Sequence, residues 1–132
     1  MSGGALAEVG RFAATIERDD VRRFAAAIGY DGMVGPLAPP TYPMRLLAAS
    51  AAADHLRTLA ETEGGMPIHV SQAFDYERRL GIGEEVHGRL LSGVEGEGTR
   101  RLAVLVLELS DAAGRGVARC ESRFAIARTQ AA

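Results

Sequence analysis

Hydrophobic and polar positions change their period several times along this chain, and each change marks an element. From Arg11 to Glu17 (RFAATIE) they alternate as in a short strand. From Val21 to Ile28 the spacing becomes helical, with Asp19 or Asp20 placed to cap the start and Gly29 to stop it. Tyr30 to Pro40 contains Gly32, Gly35, Pro36, Pro39 and Pro40 and reads as a loop. Its Met33-Val34 and Leu37-Ala38 pairs are apolar, which predicts inward packing of part of the loop.

The strongest helical run is Thr41 to Glu63, with Thr41 as its cap and Pro43 tolerated in its first turn. Between Pro43 and Ala53 only Arg45 and Ser50 are polar, which predicts burial nearly all round. Beyond Asp54, residues Arg57, Thr58, Glu61 and Thr62 define a wet face. Tyr42, Leu46, Ala49, Ala53, Leu56 and Ala60 keep the three-four spacing of a single apolar stripe. A continuous helix of this length spans roughly 30 Å, and Gly64-Gly65 ends it.

Four strand-like stretches follow: Val70 to Arg78, Glu85 to Glu95, Thr99 to Ser110 and Val117 to Ala127. The first places Val70, Gln72, Phe74 and Tyr76 on one face, and His69 at its start. The last sets Ala118, Cys120, Ser122, Phe124 and Ile126 against Arg119, Glu121 and Arg123. Short Gly-punctuated turns join them, Gly81-Ile82-Gly83 among them. The pattern predicts one α+β domain over residues 11–128, following a flexible tail at 1–10. In it, about five antiparallel strands wrap around one long central helix.

Composition narrows the chemistry. The 132 residues carry 15 basic and 17 acidic side chains with the signs interspersed, so no basic stripe points to nucleic acid. A single cysteine excludes an intramolecular disulfide framework and a cysteine-built metal site. His55 and His87 stand apart from any acidic or cysteine cluster, so no metal is expected. There is no nucleophile elbow, phosphate loop or dinucleotide fingerprint, and no cofactor is expected. No apolar run reaches the length of about 18 residues that spans a bilayer, and no leader pattern opens the chain. The expectation is a cytoplasmic protein with no membrane partner.

Four segments carry a family resemblance: Asp20-Val-Arg-Arg-Phe-Ala-Ala-Ala-Ile-Gly29, Ala38-Pro-Pro-Thr-Tyr-Pro43, His69-Val-Ser-Gln-Ala-Phe-Asp-Tyr-Glu-Arg-Arg-Leu80 and Gly83-Glu-Glu-Val86. In their order and spacing the chain resembles the MaoC-like dehydratases of the hotdog fold. Within that family it more closely resembles the non-catalytic-type half-domain that opens double-hotdog hydratases. The same half-domain forms one subunit of heterodimeric mycobacterial 3-hydroxyacyl-carrier-protein dehydratases. The resemblance implies a dimer of hotdogs, homodimeric or paired with a catalytic hotdog subunit. It also implies an acyl-coenzyme A or acyl-carrier-protein thioester bound between protomers, against the N-terminal end of the central helix. Active members carry Gly-Asp-x-Asn-Pro-x-His after the first helix. Here Gly29-Tyr-Asp-Gly-Met-Val-Gly-Pro-Leu37 stands in its place, without the asparagine and histidine.

Hydration or dehydration of a 3-hydroxyacyl thioester needs an acid/base group and a polariser for the carbonyl. Asp31 is the nearest substitute acid, or a solvated turn aspartate. Tyr30 either donates to a thioester carbonyl or packs over its loop. His69 reads as a proton carrier or as a structural hydrogen-bond partner. Pro40, Thr41, Tyr42, Met44, Phe74 and Tyr76 are the expected substrate contacts. Thr41 and Tyr42 would offer backbone N–H groups at a helix start that prolines 39, 40 and 43 otherwise deplete. Asp75 and Glu77 read as a solvated face near Arg78 and Arg79, and Cys120 as an inert core residue. Three functions fit: an accessory, substrate-shaping subunit or half-unit of a 3-hydroxyacyl thioester dehydratase, a stand-alone divergent hydratase or thioesterase, and a non-enzymatic acyl-thioester-binding dimer.

Overall fold

A computed structural model describes residues 5–30, 35–98 and 101–128. The chain runs β1 (Ala7–Thr15), α1 (Arg18–Ala27), α2 (Pro43–Ala49), α3 (Ala52–Thr62), β2 (Gly65–Tyr76), β3 (Glu85–Glu95), β4 (Leu102–Asp111) and β5 (Gly116–Arg128). The five strands form one antiparallel sheet in the order β1-β3-β4-β5-β2. Its inner face holds the core. Tyr42, Leu46, Leu47 and Ala52 from the helical segment cluster there with Leu90, Leu105, Leu107, Leu109, Val117 and Cys120 from the strands. Burying a side chain of Leu or Val size contributes about 1.5–3 kcal/mol, so this interface dominates the fold's stability.

The long helix is in two pieces. Ser50 adopts an extended backbone (φ −89°, ψ −175°) between α2 and α3. Its hydroxyl donates to the Leu47 carbonyl at 2.6 Å and accepts the Ala52 N–H at 3.1 Å. A short polar side chain thus satisfies the backbone groups that the helix would have used. The break resets the helical phase: Ala49 and Ala53 lie exposed, while Ala52 and Ala60 are buried. Burial all round over residues 43–53 is therefore not found. The helix α1 starts one turn ahead of the expected apolar run, with Glu17 at its cap position and no side-chain cap bond. Asp19 and Asp20 lie inside its first turn, where their charge complements the helix dipole. At its other end Gly29 (φ +73°) takes the left-handed turn that lets Tyr30 N–H reach the Ala25 carbonyl and Gly29 N–H the Ala26 carbonyl.

Three strand assignments change. The first strand begins at Ala7, inside the stretch read as a flexible tail. The fourth begins at Leu102, and Thr99 and Arg100 lie outside the described residues. The strand carrying His69 begins at Gly65, five residues ahead of the expected start at Val70, and lies at the sheet edge.

Gly88 shows how closely β1 and β3 pack. It pairs with Phe12, and a Cβ at Gly88 would overlap the Phe12 ring. Gly88→Ala is expected to destabilise the domain by about 1–3 kcal/mol, as overpacking does. Phe12→Ala should remove most of that extra cost in a double-mutant cycle followed by urea unfolding. Additive losses in the cycle would show that the ring and the glycine are not coupled.

Candidate functional site

The corner Gly81-Ile82-Gly83 is a stitching point. Gly83 N–H donates to the Ile16 carbonyl at 2.7 Å, Ile82 N–H to Pro36 at 2.9 Å, and Ala38 N–H to Leu80 at 2.9 Å. Glu84 accepts the Gly81 N–H and pairs with Arg78 at 2.8 Å, which holds its carboxylate below the usual range. These bonds seat the strap 36–42 beside the end of β2. Two side chains from β2 and the residues after it grip the same strap: Tyr76 donates to the Pro40 carbonyl, and Arg79 to the Ala38 carbonyl at 2.5 Å. Arg79 is therefore half-buried and engaged rather than part of a solvated face, and its Nε is buried without a partner.

The start of α2 differs from expectation. Tyr42 N–H already donates to Pro39 at 3.0 Å, Met44 N–H to Thr41 at 3.0 Å, and Arg45 N–H to Tyr42 at 2.8 Å. These turns engage the N–H groups of Tyr42, Met44 and Arg45, which leaves that of exposed Thr41 as the donor still available there. The cap position falls on Tyr42, with no side-chain cap bond, so Thr41 does not cap through its hydroxyl. Tyr42 itself is 2% exposed and meets Phe24 edge-on at 5.3 Å, which makes it core rather than site lining. Pro40 and Thr41 remain exposed beside it, and Met44 packs at the core's margin.

The inner face of β2 gathers the remaining candidates. A bulge between His69 and Ser71 inserts Val70 as an extra residue. Pairing with β5 then puts His69 opposite Phe124, Gln72 opposite Ser122, Phe74 opposite Cys120 and Tyr76 opposite Ala118. Val70 drops out of the predicted face and is 51% exposed, and His69 takes its place. The His69 ring stacks on Phe124 at 5.0 Å and 26°. Its Nε2 lies 3.1 Å from Gln72 Oε1, which also accepts the Ser122 hydroxyl at 2.5 Å. Gln72 Nε2 in turn donates to Cys120 Sγ at 2.7 Å. Gln72 and Ser122 escaped the sequence reading as site residues. A glutamine alternating with aromatics, opposite a serine in another apolar alternation, was the signal available.

The other candidates lie elsewhere. Tyr30 is exposed at the end of α1, and Asp31 lies outside the described residues. Asp75 and Glu77 face the outer side of the sheet. There, with Arg11, Arg89, Glu108 and Arg119, they line an open groove of about 580 Å³. Charges of both signs neutralise one another in this groove, and it lies across the sheet from His69 and Tyr76. His55 pairs with Ser92 at 2.8 Å and His87 with Glu85 at 2.9 Å. Among the described residues no group of three or more His, Cys, Asp or Glu comes together, and no helix is long and apolar enough to cross a membrane.

Burial raises the Tyr76 phenol to about 12 and the Cys120 thiol to about 11. The folded state holds both protons more tightly than an unfolded chain does. Stability is therefore full below the unfolded values and declines as pH rises towards 12. The basic residues are all arginine, so no lysine titration obscures this window. Tyr76→Phe is expected to flatten the decline between pH 10 and 12 by about 1–2 kcal/mol, measured by urea unfolding at each pH. A slope unchanged by the substitution would remove Tyr76 as its source.

The strand order, the short connections and the helices laid against one face define an α+β domain of the hotdog fold. Comparison with solved structures agrees. A MaoC-like dehydratase matches 96% of this chain with TM-score 0.72 and 18% identity, while this chain spans 42% of that one. A chain of the C-terminally truncated HadBC (3R-hydroxyacyl-ACP dehydratase) complex from Mycobacterium tuberculosis matches 92% of this chain and 95% of its own, with TM-score 0.64 and 16% identity. A 1,4-dihydroxy-2-naphthoyl-CoA thioesterase from Synechocystis matches 98% of this chain and 85% of its own, with TM-score 0.60 and 9% identity. No protein-family model and no curated protein sequence matches the chain.

Proposed function

We propose that this chain is an acyl-thioester-binding hotdog subunit, serving as the substrate-shaping half of a 3-hydroxyacyl thioester dehydratase. The observation that carries the reading is the partner of the inner-face histidine. His69 is bonded to an amide, Gln72, and no carboxylate among the described residues is paired with it. An apolar strip beside it (Phe74, Tyr76) ends at the strap Pro40–Thr41, which suits an acyl chain better than a polar substrate. With no acid/base pair at this strip among the described residues, the proton transfers fall to a partner subunit carrying Asp and His. The likeness to a MaoC-like dehydratase of which this chain spans 42%, and to a dehydratase complex, supports that division of labour.

The strip lies on an edge strand, so a second protomer would complete its wall. Acyl-coenzyme A titrated into the purified protein is expected to saturate at a fixed number of sites per dimer, followed by calorimetry. No binding of any acyl thioester, alone or with a catalytic hotdog partner, would end the reading. A stand-alone hydratase or thioesterase is the second reading. It is favoured by His69, which stands on the inner face where a reacting thioester would lie. Binding without turnover in any combination would mark a non-enzymatic acyl-binding dimer.

A further inference from the structure

His69, Gln72 and Ser122 form a connected polar station on an otherwise apolar face. Ser122 is fully buried, and its hydroxyl proton goes to Gln72 Oε1. That oxygen is also 3.1 Å from His69 Nε2, and an amide oxygen has no proton to give. With the Gln72 amide oriented by its Nε2 bond to Cys120 Sγ, a neutral imidazole donates through Nε2, which leaves the lone pair on Nδ1. Stacking on Phe124 restricts the ring's rotation. His69 is exposed, and no protein group among the described residues is bonded to Nδ1.

We propose that His69 is a specificity-determining residue that accepts a hydrogen bond from the hydroxyl of a 3-hydroxyacyl thioester. Gln72 and Ser122 act as positioning residues that fix its tautomer. The inference rests on the acyl-thioester reading above and adds to it which acyl chains are preferred. A single fixed acceptor beside Phe74 and Phe124 suits a chain that is apolar except for one hydroxyl. Three of the N–H groups at the start of α2, those of Tyr42, Met44 and Arg45, are engaged in its own turns; with the hydroxyl held at His69, the acyl tail runs along Phe74 to Tyr76. At about 3.3 Å per residue, Gln72 to Tyr76 gives the tail roughly 13 Å.

The test compares 3-hydroxyoctanoyl-coenzyme A with octanoyl-coenzyme A, binding each to the full chain by calorimetry. Wild type is expected to prefer the hydroxylated ligand by about three- to tenfold, the worth of one net hydrogen bond. His69→Phe keeps the stack on Phe124 but removes both nitrogens. It should bring the two affinities level by weakening only the hydroxylated ligand. Gln72→Leu should act in the same direction. Long-range proton–nitrogen correlation spectra of wild type should show the Nε2–H tautomer, with Nδ1 shifting on addition of the hydroxylated ligand alone. Equal affinities in wild type, or a preference that survives His69→Phe, would overturn the assignment while leaving acyl binding intact. Binding of neither ligand would overturn the assignment and the acyl-thioester reading together.

Discussion

Purified alone, the protein is expected to hydrate short, medium and long enoyl-coenzyme A substrates at least about a thousandfold more slowly than the same protein reconstituted with a catalytic hotdog partner. The reasoning is subtractive. Each positioned acid or base in such a reaction supplies about 10²–10⁴ in rate. The Asn and His of the hydratase motif are absent between Gly29 and Leu37. Tyr30 is exposed at the helix end, and His69 is tied to an amide rather than to a carboxylate that would stabilise its protonated form. Steady-state hydration assays with and without the partner measure the difference. Robust turnover by the isolated chain, abolished in His69→Ala or Asp31→Asn, would sink the accessory reading and promote a stand-alone hydratase.

Replacing Ile68 and Val70 together by lysine is expected to weaken self-association by at least about a thousandfold, near 4 kcal/mol. The two free edges of the sheet differ. The β1 edge carries a bulge at Val9 flanked by the Glu8–Arg11 pair at 2.9 Å, and Arg89 reaches Glu8 at 2.7 Å. Both edges carry a bulge, but charges of this kind discourage pairing with another chain. The β2 edge has no charged residue from Gly65 to Phe74, and Met66, Ile68 and Val70 are 65%, 51% and 51% exposed. It is the edge suited to a second protomer, and four new lysines at a two-fold seam would repel one another. Sedimentation at micromolar concentration checks this, with Val9→Lys on the guarded edge expected to leave assembly unchanged. A wild-type monomer, with and without a candidate partner, would remove the dimer. An unaffected double-lysine variant would place the interface elsewhere.

Sequence by itself determined the order of elements, the α+β class and the turns, because these follow from local periodicity. The alternation from Val117 to Ala127, the helical spacing after Val21 and the left-handed turn at Gly29 are all set by residues a few positions apart. The missing Asn and His of the hydratase motif were legible for the same reason. What only the tertiary structure decided depends on contacts distant in the chain. The bulge at Val70 is a matter of register against β5, and a one-residue slip exchanges the faces of everything before it. That slip put His69 on the inner face and Val70 outside. Gln72 and Ser122 are 50 residues apart and meet only because β2 and β5 pair. The same pairing placed β2 at the edge, since strand order is not written in any one strand's pattern. The break at Ser50 was the subtler case. Its polar signal was present, but whether a serine caps or continues a helix is settled by where the flanking alanines find burial, and here Ala52 and Ala60 pack inward on a new phase.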